Sequence, residues 1–405
     1  MSFLVLNKTA TPGTPSTNKA AIYYDTADSR LKVILDSGEI DTLTPVGLRD
    51  ANVITNGEFD YAQRQVPTTL TTYSSVGGRV YGPDRWWISN ENASVNFQVV
   101  DTMTTPETNL ATRQYGKFKK ITNTGKFAIG QVIETNDMAH LRGLTVRFQC
   151  KMKYSVASSM TVRLGIVALG SGGTVDTVPS GAAGYISAWG AVGTDPTLTA
   201  GANLTYITPV LVDGGTLVGS GMTCVLTTNW VRYSATFIIP STCKNIIPTI
   251  WTNGQPLNND ELNISEVGLY PGYEIRDWYP RSQSLQLIRC LRFYQKTFPP
   301  LIAPAQSGGV AGALRGMVAI AAAVTTSSTM QWKFPVQMRV APVTTTFYNP
   351  SAANAFMRNV PAATDATATA AANPSADGID INCTGLAAWS VGQEIKVHCT
   401  VDAEI

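Results

Sequence analysis

The sequence predicts an all-β protein built from several β domains. Between about residues 52 and 280, apolar and polar residues alternate with period two in segment after segment, which is typical of half-buried antiparallel strands. Charged residues make up only 14% of the chain, against roughly 25% in an average soluble domain. Thr, Ser, Ala, Gly and Asn fill the difference, which favours strands and turns. No βαβ rhythm interrupts the strands, so we expect antiparallel sandwiches.

Length and charge restrict the organisation and the partners. A chain of 405 residues is too long for one ordinary core. We divide it into an N-terminal arm (1–50), a sandwich domain (51–281), a linking helix (282–300) and a C-terminal β-sandwich domain (301–405). The formal net charge of +2 provides no field to attract nucleic acid or an anionic membrane. The most apolar stretch, 310–324, is too short to span a bilayer, so we expect no membrane insertion; nor does the N-terminus resemble a signal peptide.

The N-terminal arm contains a predicted β-hairpin, AIYYDTADSRLKVILDSGEI (21–40). Turn residues at 25–29 separate two strands of alternating character. A lone hairpin is marginally stable in water, so this one must lie against another surface. We therefore predict that the hairpin is an anchor that packs against a symmetry mate or another protein. Its apolar residues are Ile22, Tyr24, Leu31, Val33 and Leu35.

Three segments of the sandwich domain show the alternation most clearly: LTVRFQCKM (144–152), TVRLGIVAL (161–169) and VRYSATFII (231–239). In each, every second residue is apolar and predicted to face the core. A Gly-rich excursion at about 170–204 is predicted to lie as an extended loop on the sandwich.

One helix is predicted at 283–296, with Leu287, Ile288, Leu291 and Tyr294 on its apolar stripe and Ser282 or Ser284 as its cap. Pro299-Pro300 would end it. A second β region at about 311–405 follows, and its last strand is predicted to turn Ile395, Val397, Cys399 and Val401 inward. The low-complexity segment 359–378 is predicted to protrude as a loop.

The six cysteines lie far apart in the sequence and form no CxxC pair. We interpret them as reduced core residues rather than as disulfides or metal ligands. No metal site and no cofactor are predicted.

Catalytic motifs are absent from the sequence. There is no GxSxG, HExxH, Walker loop or dinucleotide fingerprint. A nucleophilic triad would need one of the two histidines, but His140 is predicted in a turn and His398 on the polar face of the last strand. A pair of distant carboxylates for glycoside hydrolysis remains open; turn and capping roles are favoured for the candidates. We therefore predict no enzymatic activity. The candidate carboxylates are Glu58, Asp60, Asp84, Glu134 and Asp137.

The stretch YGPDRWW (81–87) combines aromatic and hydrogen-bonding residues of the kind that hold sugars. Adjacent tryptophans on a strand face opposite sides. One should therefore be core, and the other should face the N-terminal hairpin, a neighbouring subunit or a glycan. Trp189, in its loop, is expected to be the best exposed aromatic, and Trp251 the next. The predicted ligand contacts are Trp189, Tyr185, Trp251, Tyr81 and Trp87.

Several segments together resemble a family of bacteriophage virion appendage proteins. VITNGEFDYAQRQ (53–65) followed by YGPDRWW is similar to that family's opening. GQVIETNDMAHLRGLTVRFQCKMKYS (130–155), WVRYSATFIIP (230–240), ISEVGLYPG (264–272) and LIRCLRFYQK (287–296) follow in the same order. FPVQMRVAP (334–342) and the ending VDAEI also fit. The segment 15–40 is similar to hairpin leaders of phage fibre proteins. The chain departs from the pattern at Phe293, where a tyrosine is common, and in its long 170–204 excursion.

The resemblance implies a tail fibre or head fibre-like protein with a jelly-roll domain like carbohydrate-binding modules at 51–281. It further implies a homotrimer in the virion, assembled in the host cytoplasm. The N-terminal arm would bind other virion proteins of the head, portal/tail or collar, and the loops would bind host surface glycans. The family's motif residues are expected to be architectural. The alternatives are a capsid decoration or collar protein that binds no sugar, and a polysaccharide depolymerase.

Overall fold

The computed structural model of the chain describes residues 8–9, 11–17, 19–25, 31–38, 40–42, 52–74, 78–92, 94–102, 107–121, 125–155, 160–179, 184–318, 326–384 and 389–405. The chain forms two compact units, Met1–Ala51 and Asn52–Ile405. The fold is all-β with antiparallel sandwiches, as predicted. Within the described residues, no helix has the length and hydropathy needed to cross a membrane.

The N-terminal unit is a four-stranded sheet in the order β1-β2-β3-β4. The predicted hairpin is confirmed by the antiparallel pairing of β2 with β3, whereas most of its turn (26–30) lies outside the described residues. Two further strands extend the hairpin, because β1 pairs with β2 in parallel and β4 with β3 in antiparallel orientation. The strands are β1 (Lys8–Thr9), β2 (Ala20–Asp25), β3 (Leu31–Leu35) and β4 (Ile40–Thr42).

The five predicted anchor positions lie on one face of this sheet, which we call the anchor face. Paired residues of antiparallel strands share a face, and successive residues alternate. Tyr23 and Ile34 belong to the opposite face and are buried, whereas Ile22 of the anchor face is 48% exposed. The side chains of Tyr24 and Leu31 lie outside the described part. The register pairs of the anchor face are Ile22 with Val33, Tyr24 with Leu31, and Ala20 with Leu35.

Two antiparallel sheets form the sandwich of the second unit. One has eight strands in the order β17-β18-β12-β20-β10-β7-β6, with β15 also paired to β12, and the other has seven in the order β16-β19-β11-β21-β9-β8-β5. A separate two-stranded ribbon pairs β13 with β14. In chain order the strands are β5 (Thr71–Tyr73), β6 (Val80–Tyr81), β7 (Trp87–Asn90), β8 (Val95–Asp101), β9 (Gln114–Lys120), β10 (Phe127–Gly130), β11 (Thr145–Tyr154), β12 (Thr161–Leu169), β13 (Ile186–Ala188), β14 (Thr197–Leu198), β15 (Leu204–Ile207), β16 (Leu211–Asp213), β17 (Thr216–Val218), β18 (Gly221–Val225), β19 (Val231–Ile238), β20 (Asn245–Thr252) and β21 (Glu261–Pro271).

The main core lies between these two sheets. The predicted inward residues of β11, β12 and β19 are buried there, from Val146 to Met152, from Val162 to Ala168, and from Tyr233 to Ile239 on alternate positions. The period-two prediction is confirmed because each of these strands turns one apolar face to the opposite sheet. Leu144, just before β11, is the exception and is 48% exposed.

The Gly-rich excursion folds back onto the outer face of the eight-stranded sheet. It lies on the sandwich as predicted, but it is more than a loop, since β13 and β14 pair within it. Its apolar side chains build a second core against the sheet, which we call the outer cluster. The outer cluster includes Trp87, Val167, Tyr185, Trp189 and Trp251.

The helices are short. Helix α1 (Thr135–Met138) continues into a 3₁₀ turn at Ala139–Leu141. Helix α2 (Gln283–Leu291) begins at the predicted cap Ser282, whose hydroxyl accepts a hydrogen bond from the Leu285 amide at 3.3 Å. It ends at Leu291 instead of near 296, because the next residues form a strand that pairs with the last strand of the chain.

The predicted apolar stripe of α2 is wrong. Ile288 is 47% exposed and Leu287 is half-buried, whereas the buried helical residues are Gln286 and Cys290. Residues four apart share a helix face, and it is this polar-apolar pair that faces the protein. Tyr294 is buried, but as part of a strand.

The C-terminal region packs a six-stranded sheet against a three-stranded sheet. The first is organised around β30, and the second has the order β24-β29-β28. The last strand was predicted to turn four residues inward. This prediction is confirmed, since all four are fully buried in the core between the two sheets. The strands are β22 (Tyr294–Lys296), β23 (Leu314–Met317), β24 (Thr326–Lys333), β25 (Thr344–Tyr348), β26 (Arg358–Asn359), β27 (Thr364–Asp365), β28 (Ala368–Ser375), β29 (Gly378–Thr384) and β30 (Glu394–Asp402).

Segment 359–378 is not the predicted loop. It contains β27 and β28, and β28 forms a hairpin with β29. Low complexity did not prevent strand formation, because the backbone supplies the ladder hydrogen bonds and the small side chains of β28 suit an exposed edge strand.

Five buried or partly buried charged residues join the sandwich to the last residues of the chain, and we call them the tail clamp. Arg64 Nη2 lies 2.8 Å from Asp402 Oδ2 and 3.5 Å from Glu404 Oε1, and its Nη1 lies 3.9 Å from Asp84 Oδ1. Arg85 pairs directly with Glu404 and also donates to the Val132 carbonyl oxygen at 2.7 Å. The clamp comprises Arg64, Asp84, Arg85, Asp402 and Glu404.

Aromatic rings complete the tail clamp. The guanidinium of Arg64 lies 4.0 Å from the ring centroid of Tyr294, and that of Arg85 lies 3.3 Å from the centroid of Phe293. Tyr81 donates its hydroxyl to the carbonyl oxygen of the last residue at 2.9 Å. Five of the segments that carry the family resemblance therefore meet at this junction: 53–65, 81–87, 130–155 through Val132, 287–296 and the ending VDAEI. Phe293, where the family pattern has tyrosine, still presents a ring face to an arginine.

Candidate functional site

Four of the five aromatic residues predicted to contact a ligand are buried in the outer cluster. Trp189 is 6% exposed and Trp251 is 1% exposed, so the expectation that they are exposed is wrong. The excursion places its own apolar side chains on the sheet, and Trp87 and Tyr185 pack edge to face with ring centroids 4.9 Å apart. Tyr81, the fifth, is half-buried beside the tail clamp.

Trp86 and Trp87 lie on opposite sides of the eight-stranded sheet, as predicted. Trp86 is in the core between the sheets, where its Nε1 donates to the Asn56 carbonyl oxygen at 2.9 Å. Trp87 is in the outer cluster. Its ring packs against Tyr185 of the excursion, which covers that face of the sheet.

A cavity of about 260 Å³ opens at the end of the sandwich where β12 begins and β20 ends. Two loops that sequence analysis singled out through their tryptophans border it. The excursion contributes Val192, three residues after Trp189, and the loop after Trp251 contributes residues 252–257 and 260. The remaining lining residues are Met160 and Thr161.

One side of the cavity is formed by residues 189–195 of the excursion, which we call the excursion wall, and a lysine binds its backbone. Lys126 Nζ lies 3.0–3.2 Å from the carbonyl oxygens of residues 189–191, and burial lowers its pKa. From the other side, the Gly193 amide donates to Asn253 Oδ1 at 3.0 Å. The wall is therefore tied both to β10 and to the loop that it faces.

A buried ion pair fixes the far end of the same wall. Arg163 Nη1 lies 2.8 Å from Asp195 Oδ1, and Asp195 Oδ2 accepts a hydrogen bond from the Ser220 amide at 2.8 Å. The Arg163 guanidinium also lies 5.4 Å from the ring centroid of Trp251. Arg163 thus links the excursion, through Asp195, to Trp251 of the outer cluster.

The 252–260 loop is fixed by its own contacts. Asp260 Oδ2 accepts from the Leu257 amide at 2.5 Å. The loop also pairs with the end of β9, since the Asn259 amide donates to the Lys120 carbonyl oxygen at 2.9 Å and the Lys120 amide to that of Asp260 at 2.8 Å. Both sides of the cavity are therefore preformed.

The lining combines hydrogen-bonding and apolar groups. Thr161, Asn253, Gln255 and Asp260 supply hydroxyl, amide and carboxylate groups. The hydroxyl of Thr252 is buried and accepts from the Phe127 amide at 3.1 Å. The apolar part consists of Met160, Val192, Pro256 and Leu257. Such a mixture suits a small molecule that carries both hydroxyl groups and apolar surface.

Sequence analysis missed the lining residues of the 252–260 loop. The available signal was the stretch TNGQPLNND (252–260), in which turn-forming and polar residues directly follow a buried strand. The prediction chose the large aromatic residues instead, but the large apolar area of their side chains favours burial.

The candidate carboxylates hold structural contacts. Asp84 accepts hydrogen bonds from the backbone amide and side chain of Gln63 at 2.9 and 2.6 Å. Glu134 Oε2 lies 3.1 Å from Arg292 Nη2, and Glu58 Oε1 accepts from Trp278 Nε1 at 3.1 Å. These contacts are structural, but they join segments far apart in the chain, whereas the sequence favoured local turn and capping roles.

His398 is fully buried. Its ring stacks on Phe298 with centroids 4.0 Å apart, and its nitrogens bond to Thr297 Oγ1 at 3.0 Å and the Gly309 carbonyl oxygen at 2.9 Å. Burial lowers its pKa. All six cysteines are buried, which confirms their assignment to the core. In the described part of the chain, no group of three or more His, Cys, Asp or Glu side chains is placed to hold a metal ion.

The sequence matches no protein-family model and no curated protein. Solved structures with a similar fold include a CBM61 module in complex with β-1,4-galactotriose (12% identity, TM-score 0.29, covering 55% of this chain and 99% of that one). A putative sugar binding protein from Bacteroides thetaiotaomicron has 12% identity and a TM-score of 0.33, with coverage of 55% and 100%. Tailspike protein 4 of bacteriophage CBA120 has 9% identity and a TM-score of 0.29; the match covers 55% of this chain and 22% of that one. These similarities concern the type of fold and assign no ligand to this chain.

Proposed function

We propose that this chain is a structural component of a phage virion, a short homotrimeric fibre or appendage. Its N-terminal unit attaches to other virion proteins, and its sandwich presents a binding site for host surface glycans. It carries no catalytic role and is assembled into the virion in the host cytoplasm. The family resemblance of the sequence motifs supports the virion role, and their convergence on the tail clamp explains why those residues occur together.

The cavity at the end of the sandwich is the observation that carries the glycan-binding part. It is concave, preformed on both sides and lined by amide, hydroxyl and apolar groups. Saccharides present the same two kinds of surface, hydroxyl groups and apolar C–H faces, so this lining fits them better than it fits a purely apolar ligand.

The anchor face supports the attachment part. It belongs to a compact unit of its own and presents exposed and half-buried apolar residues. Exposed apolar surface of this kind marks protein–protein contacts. We expect replacement of Ile22 and Val33 by lysine to abolish incorporation into virions, measured by immunoblotting of purified particles. Lys32→Glu, on the opposite face, is the matched control.

A glycan array probed with the full-length protein tests the binding role. We expect binding to a subset of bacterial or host-surface oligosaccharides. Mass photometry of the same sample should show a trimer, which requires an interface on the order of 800 Å² or more per partner. A stable monomer would contradict the appendage proposal, whichever glycans bind.

A decoration or collar protein that binds no sugar is the second candidate. One observation favours it. A row of apolar side chains, each about half exposed, crosses the end of the seven-stranded sheet, where a protein partner could dock. An array without any signal, combined with a virion location, would support this alternative. The row consists of Leu144 (48%), Val210 (54%), Leu211 (52%), Ile238 (49%) and Tyr273 (58%).

A further inference from the structure

We propose that the cavity between the excursion wall and the 252–260 loop binds a single uncharged pyranose unit, and that it excludes acidic sugars. This inference rests on the proposed glycan-binding function and narrows it to one site and one ligand class. Size, charge, hydrogen-bonding capacity and apolar contacts each support it.

The volume of the cavity limits the ligand. At about 260 Å³ it lies just below the range of roughly 300–1,000 Å³ that is typical of sites for drug-sized molecules. One sugar ring with its substituents fits such a space, whereas a longer stretch of polysaccharide has to continue outside it. The site therefore suits one residue of a glycan, such as a chain end or a side branch.

The charge of the lining excludes acidic sugars. Among the described lining residues, only Asp260 is charged, and its charge is negative. The lysine behind the wall, Lys126, is buried and donates to three carbonyl oxygens instead of facing the cavity. A sialic acid or uronic acid carboxylate would lose hydration without gaining a cation and would lie near Asp260, so its binding is disfavoured.

The polar lining matches neutral sugar hydroxyls and amides. Side-chain amides both donate and accept, as sugar hydroxyl groups do. Asn253 Oδ1 is used by the Gly193 amide, and Gln255 is exposed at the rim. The Asp260 carboxylate accepts from hydroxyl groups, a strong type of hydrogen bond.

Two apolar side chains at the mouth of the cavity are placed to contact the less polar face of the pyranose ring. Val192 is 70% exposed and Leu257 is 59% exposed, although each lines the cavity. Covering them with a sugar C–H face or an N-acetyl methyl group removes apolar surface from water. Since both walls are preformed, little further ordering is required on binding.

Gly254 offers a way to fill the cavity without disturbing the fold. Its φ is not in the left-handed region, and an added Cβ would meet only Val192 Cγ2, at 3.8 Å. Gly254→Leu should therefore fold normally and occupy the space of the ligand. Asn258→Ala is the matched control, because Asn258 is exposed on the same loop but does not line the cavity.

The experiment compares these full-length variants with the wild type on two panels. One contains hexose- and N-acetylhexosamine-terminated neutral oligosaccharides, and the other contains sialylated and uronate-terminated ones. We expect the wild type to bind members of the neutral panel only. Gly254→Leu should lower the affinity at least about tenfold. Gln255→Ala should lower it roughly three- to tenfold, the effect of one lost hydrogen bond, and Asn258→Ala should bind as the wild type does.

Each contrary result has a distinct meaning. Selection of the acidic panel, or neutral binding that Gly254→Leu leaves unchanged, would overturn this inference and leave the proposed glycan-binding function standing. Absence of binding to both panels would overturn the inference together with the glycan part of the proposed function. Circular dichroism of each variant verifies that a lost signal does not reflect unfolding.

Discussion

Glu58 is a buried carboxyl group whose Oε1 accepts a hydrogen bond from Trp278 Nε1 at 3.1 Å. Burial raises its pKa from the ordinary value of 4.5 to about 8, and the neighbouring Asp60 adds to the shift. At the residue scale, this carboxyl binds its proton more tightly in the folded than in the unfolded state. Its contribution to the free energy of unfolding is therefore greatest at low pH.

A prediction follows from the upward direction of this pKa shift. As the pH rises from about 4.5 to about 8, the contribution of Glu58 to stability should fall, and above pH 8 the loss should be constant. Glu58→Gln keeps an acceptor for Trp278 and has no proton to lose. We expect the variant to gain stability relative to the wild type as the pH rises, by up to a few kcal/mol.

Urea unfolding of both proteins at pH 5 and pH 8.5 measures this difference. Asn258→Ala is the control, because Asn258 is exposed and has no titratable group, so its replacement should leave the pH dependence unchanged. The prediction fails if Glu58→Gln and the wild type differ equally at the two pH values.

At the scale of elements, the tail clamp connects β30 and the residues after it to the segments around Arg64 and Arg85. Arg85 and Glu404 are buried in it, with side chains 3% and 4% exposed, whereas Asp402 is 31% exposed. A buried ion pair contributes little compared with an apolar replacement, but removal of one partner leaves an uncompensated charge. The clamp is therefore sensitive to single substitutions.

We expect Glu404→Ala to lower the free energy of unfolding by ~3–5 kcal/mol, because it leaves Arg85 buried without its carboxylate. Asp277→Ala, which removes the 85% exposed partner of Arg232 at 3.4 Å, should cost about 1 kcal/mol or less. Denaturant unfolding of the two variants beside the wild type provides the measurement. Equal effects of the two substitutions would show that the clamp does not stabilise the junction.

At the scale of the whole molecule, the chain divides into Met1–Ala51 and Asn52–Ile405. The second unit includes Asn52 itself, whose Oδ1 accepts from the amides of Ile54 and Leu269 at 3.0 and 2.9 Å. The boundary that matters for folding therefore lies just before Asn52.

We expect a variant lacking residues 1–51 to keep the melting temperature of the sandwich within a few degrees, since its core contacts are retained, and to be absent from virions. A variant that begins at Asp60 should melt at a clearly lower temperature, because it lacks Asn52 and the buried Phe59. Differential scanning calorimetry and immunoblotting of purified particles measure the two effects. Normal incorporation of the first variant would contradict the attachment role.

Much of the fold could be predicted from local patterns. Alternation in β11, β12 and β19 identified the inward residues correctly because one face of each strand meets the opposite sheet. The helix was misjudged at Tyr294 and Ile288, since pairing with the distant β30 replaces helical hydrogen bonds after Leu291. Such long-range pairing leaves no local signal in the sequence.

The candidate site was located only in part. Its two loops were named through Trp189 and Trp251, but those side chains are buried in the outer cluster and do not line the cavity. Sequence cannot distinguish a buried from an exposed tryptophan in a Gly-rich segment, because burial depends on where the segment folds back.

The sequence by itself determined the all-β class, the inward faces of the principal strands, the core position of the cysteines and the opposite orientations of Trp86 and Trp87. These depend on local periodicity and on the preference of apolar side chains for burial. Only the tertiary structure decided that the excursion covers the outer face, that residues 402–405 lie in the tail clamp, and that residues 252–260 line a cavity. Each of these features joins segments far apart in the chain, and their contacts arise only when the sheets have packed.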